Sequence, residues 1–293
     1  MSAQGEVRDY YDANTARFEK FGQGGDSIHR AVWAEGVSTR AEAFRYLDRL
    51  IASELGPLAS RFTAPLHVLD LGCGLGASLF FLASEHAIVG TGATLSGVQA
   101  RVARERSASL GFGDRVQFFE ADFLTLPEVI PKAALAFSIE AFIHGPDPAA
   151  YFQAAARYVA PGGRLVVCDD FLGGRSARAG SRRERRWLKE VRTGWLANSL
   201  ITVAAAEDLA RHAGFRLREN RDLTSALELR RPRDRALSLL VALGRHLPIK
   251  GQRWRSWVGG NALQLALVRR LLEFRYLVFE RSGGGASEAE PRA

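Results

Sequence analysis

The chain alternates short apolar runs with longer segments in which apolar residues recur every three or four positions. Five short runs have the character of strands, at residues 68–71, 86–91, 114–120, 133–139 and 164–168. Segments with a helical period separate them, at residues 77–84, from about residue 97, and at 148–158. Strands that alternate with helices in this way are typical of a parallel sheet covered on both faces. The pattern therefore predicts an α/β fold with a doubly wound, mostly parallel sheet.

The pattern changes after the fifth strand. An arginine-rich helical segment, a helix and a sixth strand follow, at residues 176–200, 204–213 and 215–221, and residues 269–279 form a last strand or a helix that runs into one. Nearly fifty residues separate the sixth strand from the last, which is too many for a hairpin loop. We therefore predict a seven-stranded sheet with a helical insert before its last strand.

The amino-terminal segment has its own pattern. Aromatic residues recur about one and two helical turns apart and precede Gly22, Gly24 and Gly25, which indicates a short amphipathic helix that ends at the glycines. A second helix is expected at about 38–55, ended by Gly56 and Pro57. Aromatic rings beside a glycine hinge can fold over a pocket, so we expect a lid. The predicted organisation is a helical lid at 1–60, a core at 61–223 that includes a basic helical segment at 175–200, an insert at 224–268, the last strand at 269–281 and a disordered tail at 282–293.

Composition narrows the class of protein. The 293 residues are 47% hydrophobic and 25% charged, which is ordinary for a soluble globular protein. No apolar run is long enough to span a bilayer, and the amino terminus lacks the apolar core of a signal peptide. Cys73 lies in a glycine-rich turn and Cys168 in an apolar strand, a placement that indicates neither a disulfide nor a metal site. The cytoplasm is therefore the expected location.

The most informative stretch joins the first strand to the next helix. Asp70 ends the strand, and Gly72, Gly74 and Gly76 follow at alternate positions before the helical run begins. Glycines at this spacing allow a tight turn and let backbone N–H groups approach a ligand closely. Because parallel sheets bind ligands beyond the carboxyl ends of their strands, the turn predicts a cofactor site.

This stretch resembles motif I of the class I S-adenosylmethionine (SAM)-dependent methyltransferases. Residues 94–99 resemble the T-L-S-x-x-Q segment of the branch that contains cyclopropane fatty acid synthases and sterol methyltransferases, and 121–123 and 161–163 match two further motifs of the family. The resemblance implies a Rossmann-like fold with SAM as the cofactor, held by Asp70, Gly72, Gly74, Gly76, Thr94, Gln99, Asp122, Phe123, Ser138 and Tyr11. No carboxylate lies between Glu85 and Arg101, so Thr94 and Gln99 are expected to bind the ribose hydroxyls that an acidic residue holds in many relatives.

A second resemblance concerns the reaction. Residues 138–146 resemble the I-E-A-x-x-H-x-P stretch of sterol C-methyltransferases, whose Glu lies beside the methyl-accepting region. Methylating an alkene carbon creates a carbocation, which a carboxylate stabilises before a base removes a proton. We therefore expect Glu140 to be the catalytic carboxylate, with His144 as the second catalytic candidate. In the competing interpretations, Glu140 binds the SAM amino group or caps the next segment, and His144 is a packed loop residue.

The expected acceptor is a small, largely apolar metabolite of the terpenoid, sterol or lipid type, made in a natural-product pathway. Five residues are expected to line its pocket, although each aromatic one is also a candidate core residue: Tyr10, His29, Phe142, Trp187 and Trp195. One alternative is an O- or N-methyltransferase of a natural-product pathway, in which Glu140 and His144 orient a hydroxyl or amine and accept its proton. An alternative of another class is a SAM-binding adaptor without transferase activity.

The net charge of +8 is unevenly distributed. Residues 175–192 contain eight basic and two acidic residues, and residues 230–255 contain eight basic and one acidic. The first cluster includes Arg182, Arg183, Arg185 and Arg186, which are candidates for holding a diphosphate on a prenyl substrate. The second includes Arg253, Trp254, Arg255 and Trp257, which are candidates for peripheral contact with a membrane. Solvated helix faces are the third interpretation, an oligomer stays open, and no nucleic-acid-binding module is recognised.

Overall fold

A computed structural model describes residues 3–21, 29–176, 180–245, 247–249 and 251–283. Its described strands form one seven-stranded sheet: β1 (Leu66–Leu71), β2 (Ile88–Thr94), β3 (Val116–Glu120), β4 (Ala133–Ile139), β5 (Val159–Leu172), β6 (Phe215–Asp222) and β7 (Leu272–Arg281). The strand order is β3-β2-β1-β4-β5-β7-β6, and only β7 runs antiparallel to its neighbours. The predicted α/β fold with a mostly parallel seven-stranded sheet is therefore confirmed.

Ten α-helices lie in the described ranges: α1 (Ala3–Phe21), α2 (Arg40–Ser53), α3 (Leu55–Ala59), α4 (Ala77–Glu85), α5 (Gly97–Ser109), α6 (Pro148–Tyr158), α7 (Arg182–Gly194), α8 (Val203–His212), α9 (Pro232–Gly244) and α10 (Gln252–Val268). Two single-turn 3₁₀ helices cover Phe142–His144 and Thr224–Ala226. Two large apolar clusters pack on the sheet and the surrounding helices. None of the described helices combines the length and apolar character needed to cross a membrane.

The predicted cofactor turn follows β1, an interior strand of the sheet. Strand β1 lies between β2 and β4, with Asp70 level with Gly92 on one side and with Phe137 on the other. Its last four residues are buried, as expected of a strand covered on both faces. The strand order changes direction between β1 and β4, and ligands of doubly wound sheets bind at such a point.

The second predicted helix differs from the observed structure. Helix α2 begins after Thr39, whose side chain forms a capping box with Glu42. Gly56 and Pro57 were expected to end helical structure, but both lie within α3. Pro57 occupies the first turn of this short helix, where its missing N–H has no helical acceptor to lose.

The arginine-rich helix is shorter than predicted. We expected it to cover 176–200, whereas α7 begins after the capping box formed by Ser181 and Glu184 and ends at Gly194. Leu196 then has a φ of +54°, which turns the chain out of the helical path. Residues 177–179, inside the predicted segment, lie outside the described residues.

The fifth and last strands also differ from expectation. Strand β5 was expected to end at Cys168, but its antiparallel pairing with β7 continues to Leu172. Asp169 and Asp170 therefore lie within a strand rather than beyond it. The last element is a strand from Leu272, since α10 ends at Val268 and the chain turns between them.

The structure describes the amino-terminal helix but only the first two residues of the carboxyl-terminal tail. Helix α1 is present where an amino-terminal helix was expected, but the glycines at 22, 24 and 25 lie outside the described residues. Of the tail predicted to be disordered, only Ser282 and Gly283 are described. The insert is helical as predicted, with α9 and α10 as its two main elements.

Candidate active site

A cavity of about 1180 Å³ opens at the carboxyl ends of the parallel strands. We call one side the strand-end wall, whose principal residues are Arg30, Asp70, Gly72, Gly74, Thr94, Gln99, Asp122, Glu140, His144, Asp169 and Asp170. We call the part of the lining that comes from the insert the insert wall; it is formed by Arg231, Arg233, Leu237, Arg253, Ser256, Trp257, Gly260, Leu263 and Gln264. Residues of α1, among them Gln4, Tyr10 and Tyr11, contribute a third side.

The glycine turn is held close to the chain that follows β4. Gly72 has a φ of +100°, and a Cβ atom there would lie 2.3 Å from the Cβ of Ala141. The N–H groups of Gly72 and Cys73 both donate to the carbonyl of Ala93 at 2.9 Å. A larger residue at position 72 would push this turn away from the sheet, so glycine is required by both conformation and space.

Gly76 has a different role from the one expected. It precedes α4 with a φ of +80°, and a Cβ atom there would lie 2.4 Å from Cζ of Phe118. It does not line the cavity, whereas Gly72 and Gly74 do. The absence of a side chain at Gly76 makes room for Phe118, and a direct contact of Gly76 with the cofactor stays a prediction.

Asp70 places a buried carboxyl group at the centre of the strand-end wall. It is only 4% exposed and lines the cavity. Burial, with a further contribution from the carboxylate of Asp48, raises the pKa of Asp70 well above its usual value. A cationic group bound beside Asp70 would stabilise its charged form.

Thr94 and Gln99 bond to each other, and the amide nitrogen of Gln99 remains available to a ligand. The Thr94 hydroxyl donates to Oε1 of Gln99 at 2.9 Å, which fixes the orientation of the amide. Nε2 of Gln99 is buried and has no hydrogen-bond partner among the described residues. Leaving a buried donor unpaired is costly, so an acceptor on a bound molecule would satisfy it.

The third group of cofactor candidates lies under α1. Oδ1 of Asp122 accepts from the Leu124 N–H at 2.9 Å, and its Oδ2 accepts a short hydrogen bond from Nε2 of Gln4. Asp12 of the same helix accepts from the Ser96 hydroxyl at 2.5 Å. Phe123 also lines the cavity. Helix α1 thus covers the region expected to bind the nucleoside, while its opening and closing as a lid stays a prediction.

The polar groups of the strand-end wall fit the chemistry of SAM. The cofactor carries an ammonium, a sulfonium, two ribose hydroxyls and an adenine amine, and the strand-end wall supplies carboxyl groups for the cationic and donor groups. Asp70 and Asp122 are the carboxyl candidates, and the unpaired amide of Gln99 suits a ribose oxygen. Individual contacts between these residues and SAM stay predictions.

An arginine that the sequence analysis did not single out organises the predicted catalytic carboxylate. Arg30 donates from its two terminal nitrogens to both oxygens of Asp170, at 3.1 and 2.8 Å. Its Nε lies 3.1 Å from Oε2 of Glu140, and its backbone N–H donates to Oε1 of Glu140 at 2.7 Å. The pairing could have been sought from the sequence, because adjacent carboxylates next to a buried strand require a cation.

Glu140 lies at a conformationally unusual position. Its φ is +51°, a left-handed conformation that few non-glycine residues adopt, and its N–H donates to the carbonyl of Cys168 at 2.8 Å. The turn directs Glu140 into the cavity, where Arg30 compensates its charge.

His144 is oriented by two hydrogen bonds. Its Nδ1 lies 3.1 Å from the carbonyl oxygen of Leu196, which can only accept, so Nδ1 carries a hydrogen. Its Nε2 lies 3.2 Å from the hydroxyl of Tyr11. Burial lowers the pKa of His144, although the Leu196 contact and the charge of Glu140 oppose this. The neutral ring therefore presents an unprotonated Nε2, and the Tyr11 hydroxyl donates to it.

Asp169 supports the segment that carries His144. Its two oxygens accept from the N–H groups of Ile143, at 3.0 Å, and Asp170, at 2.8 Å. Burial, followed by the charge of Asp170, raises the pKa of Asp169 well above its usual value. The side chain fixes the single helical turn at 142–144 against β5.

Besides Gly76, three further predicted site residues do not line the cavity in this structure. Ser138 is fully buried and shares a hydrogen bond of 2.8 Å with the Tyr151 hydroxyl. Phe142 is also fully buried, with its ring 4.9 Å from that of Tyr151. Trp187 is 4% exposed and belongs to the core cluster between the insert and the sheet. All three side chains serve core packing.

Three other predicted pocket residues, Tyr10, His29 and Trp195, do line the cavity, as does Tyr11, which was predicted to bind the cofactor. Trp195 follows α7 and approaches the insert wall at Gly260, where a Cβ atom would lie 3.8 Å from the indole ring. His29 lies beside Arg30, with its Nε2 3.9 Å from Oδ1 of Asp48. Whether these residues contact an acceptor stays a prediction.

The four arginines that are candidates for holding a diphosphate do not line the cavity. Arg183 lies over the Trp187 ring at 5.1 Å, Arg185 donates to the Gly180 carbonyl, and Arg186 lies 3.7 Å from Glu190. Neither these three nor Arg182 lines the cavity. Helix α7 turns these side chains outward, so the cavity offers no support for diphosphate binding over the solvated helix face that was the other interpretation of this cluster.

The segment expected to touch a membrane is only partly exposed. Trp254 packs against α9, since a Cβ atom at Gly244 would lie 2.3 Å from its ring. Trp257 lines the cavity and is 42% exposed. The more exposed apolar residues of the insert lie on or just after α9, namely Leu239, Leu240, Leu243 and Leu247. Membrane contact stays a prediction.

Comparison with known proteins agrees with this geometry. A family model described as "Methyltransferase domain" matches residues 68–163. The methyltransferase GfsG of Streptomyces halstedii is 34% identical over 172 residues, which cover 58% of this chain and 59% of that protein. The 27-O-demethylrifamycin SV methyltransferase of Amycolatopsis mediterranei (strain S699) is 30% identical over 192 residues, or 65% of this chain and 67% of that protein.

A solved structure extends the likeness across nearly the whole fold. The cyclopropane synthase MmaA2 of Mycobacterium tuberculosis superposes with a TM-score of 0.67 at 20% identity, over 87% of this chain and 90% of that one. The chain belongs to the class I SAM-dependent methyltransferases. It spans 59% of the length of GfsG, one of the curated relatives that it matches.

Proposed function

We propose that this protein transfers the methyl group of SAM to a hydroxyl oxygen of a small, largely apolar metabolite. The observation that carries this proposal is the orientation of His144, whose unprotonated Nε2 faces the cavity. The relative from A. mediterranei is named for an O-demethylated substrate, which is consistent with an oxygen acceptor.

The electrophile comes from the cofactor. Bound SAM supplies a methyl group on a positively charged sulfur, which needs no further activation. The strand-end wall would hold it through Asp70, the turn at Gly72 and Gly74, Gln99 and Asp122. Helix α1 excludes water from that side through the contacts that Gln4 and Asp12 make across the cleft. The protein's main contribution to the rate is alignment of the two reactants.

The remaining requirement is a base for the hydroxyl proton. His144 would accept that proton at Nε2 while its Nδ1–H stays bonded to Leu196. The oxygen of Tyr11 lies 3.2 Å from Nε2, at the distance where an acceptor hydroxyl would form the same hydrogen bond. An acceptor that displaces the phenol therefore reaches the base without a change in the histidine.

Methylation at carbon is the second candidate. In its favour, Glu140 faces the cavity and would lie close to a carbocation formed there. Against it, Arg30 already compensates the Glu140 charge through a side-chain contact at 3.1 Å and a backbone hydrogen bond at 2.7 Å. A paired carboxylate stabilises a cation less than a lone one, so the oxygen acceptor has the stronger support.

The test begins with labelled SAM and a panel of aliphatic alcohols, phenols, sterols and prenyl diphosphates. Mass spectrometry then locates the added methyl group. With the acceptor found, His144→Gln should lower kcat by about 10² to 10⁴-fold, because the base is lost, while calorimetry shows unchanged SAM affinity. The control is His86→Gln at an exposed position outside the cavity, which should retain the parental kcat.

The dependence of kcat on pH provides a second measurement. Because burial lowers the pKa of His144, kcat should be constant above pH 7 and should fall on the acid side at a midpoint below 6.5. A methylated carbon, together with Glu140→Gln lowering kcat more than His144→Gln, would favour the second candidate instead. SAM binding without any methylated product would leave the adaptor alternative.

A further inference from the structure

Helix α9 exposes apolar side chains on the side that faces away from the protein. Its inner side is buried at Val241. Four leucines that are between 55% and 61% exposed lie on this helix or just after it: Leu239, Leu240, Leu243 and Leu247. We call them the leucine face, because each of the others lies three or four positions from Leu243, a spacing that shares one side of a helix. An exposed apolar patch of this kind marks a surface that binds another molecule.

The two helices of the insert run antiparallel. A Cβ atom at Gly244, the last residue of α9, would lie 2.3 Å from the ring of Trp254, near the start of α10. The hydroxyl of Ser238, in the middle of α9, donates to Oδ1 of Asn261, further along α10, at 2.6 Å. The start of α10 therefore lies beside the end of α9.

This arrangement places basic residues at both ends of the leucine face. Arg233 and Arg235 lie near the start of α9. Arg253 and Arg255 lie near the start of α10, beside the end of α9, and all four arginines are exposed. Arg235, Arg253 and Arg255 form no ion pair with any described residue. Arg233 has a long contact, since its Nε lies 3.6 Å from Asp234. The positive charge at both ends is therefore largely uncompensated.

The leucine face continues into the mouth of the cavity. Leu240 lies one helical turn after Leu237, which lines the cavity. Trp257 of α10 lines the cavity and is 42% exposed. Arg233 and Arg253 are exposed and line it as well. The cavity therefore opens to solvent beside the leucine face.

The distribution of charge decides which partner fits the leucine face. If the leucine faces of two copies of this chain met, arginines would lie opposite arginines whichever way the helices ran, because both ends of the face are basic. An anionic lipid surface instead offers acyl chains to the leucines and negatively charged headgroups to the arginines. The lipid surface matches both the apolar and the basic part of the patch.

We propose that the leucine face and the arginines at its two ends bind the surface of an anionic lipid bilayer. Helix α9 then lies in the plane of the interface, with its leucines at the acyl boundary and the arginines among the headgroups. The mouth of the cavity faces the bilayer, so an apolar acceptor dissolved in the lipid can enter beside Trp257. Only this route for the acceptor rests on the proposed function; the contact with lipid is independent of methyl transfer.

The test measures flotation of the full-length protein with lipid vesicles. One set of vesicles contains phosphatidylcholine alone, and the other also contains phosphatidylglycerol. At low salt, the parent protein should partition about tenfold or more strongly into the anionic vesicles, because each arginine near the surface adds to the attraction. Raising the salt concentration should remove most of this preference, since salt screens the charges of the headgroups.

A first pair of variants tests the leucines. Leu240→Ser/Leu243→Ser should weaken partition into both kinds of vesicle about tenfold or more, because less apolar surface enters the lipid. Neither residue lines the cavity. The control is Leu110→Ser/Val129→Ser, which removes two exposed apolar side chains outside the insert and should float like the parent. Circular dichroism and thermal melts establish that both variants are folded.

A second pair of variants tests the arginines. Arg235→Gln/Arg255→Gln should lower partition into the anionic vesicles about tenfold, while partition into phosphatidylcholine stays within about twofold. Neither residue lines the cavity. The control is Arg101→Gln/Arg216→Gln, which removes the same charge from exposed positions outside the insert and should retain the preference of the parent.

The outcomes separate this inference from the proposed function. Equal partition of the parent into the two kinds of vesicle, no flotation, or equal losses in the test and control variants would overturn the lipid contact. A dimer in sedimentation experiments that Leu240→Ser/Leu243→Ser abolishes would also overturn it, in favour of a second copy. For an acceptor dissolved in buffer, Leu240→Ser/Leu243→Ser should retain the parental kcat and KM. Absence of methyl transfer in the parent would contradict the proposed function alone.

Discussion

The two walls of the cavity differ in the elements that build them and in their charge. The strand-end wall is built where parallel strands end, so its side chains are positioned by the hydrogen-bond ladder of the sheet. The insert wall is built mainly from α9 and α10, which contact each other; α10 also packs against α7, and the charged residues of this wall are basic. We expect the strand-end wall to bind the cofactor and the insert wall to contact the acceptor. Changes on either side should therefore have separable effects.

The largest effect is expected at Arg30, the one basic residue of the strand-end wall. Arg30→Met should lower the free energy of unfolding by about 3 kcal/mol or more, because it leaves the carboxylate of Asp170 buried without its partner. Chemical denaturation measures the change. Arg30→Met/Asp170→Asn should recover part of the loss, and a single variant as stable as the parent would contradict the importance of this pair.

The next effect concerns the glycine turn. Gly72→Ala should weaken SAM binding about a hundredfold, because its Cβ would force the turn away from Ala141 and misplace the backbone groups that face the cofactor. Gly162→Ala is the matched control, since Gly162 also has a positive φ but has open space around it. Calorimetry should find SAM affinity nearly unchanged in the control, and equal losses in both variants would point to general strain instead.

A smaller effect is expected where α1 crosses the strand-end wall. Gln4→Ala/Asp12→Ala removes the hydrogen bonds to Asp122 and Ser96, and should weaken SAM binding about tenfold. Asp9→Ala, at an exposed position of the same helix, is the control. If both variants bind SAM like the parent, α1 does not act as a cover for the cofactor.

The smallest effect on SAM affinity is expected from a substitution in the insert wall. Trp257→Ala should leave SAM affinity within about twofold, whereas the KM for the acceptor should rise about tenfold through loss of an aromatic contact. Leu243→Ala, 60% exposed and outside the cavity, is the control for a lost apolar side chain on the insert. A large loss of SAM affinity in Trp257→Ala would show that the two walls are not separable.

The core of the fold was predictable because its signals are local. Alternating strands and helices identify a doubly wound sheet, and Asp70, Thr94 and Asp122 lie at the ends of consecutive strands, where any such sheet binds its ligand. The structure departs from the expected site where the position of a side chain depends on residues that are distant in the sequence. Ser138 and Phe142 flank Glu140 in sequence, but both pack against Tyr151, while the left-handed φ of Glu140 (+51°) interrupts the strand's regular alternation between them.

By itself, the sequence determined the sheet, the glycine turn and the cofactor side of the cavity, since the period of apolar residues and the torsional freedom of glycine act over a few neighbouring residues. Only the tertiary structure decided which charges meet. Arg30 contacts Asp170, which lies 140 positions later in the chain. Arg233 and Arg253 line the same cavity as Asp70 and Thr94, although they come from a distant part of the sequence. Electrostatic pairing and packing depend on distance in space, and the order of residues does not specify that distance until the sheet is assembled.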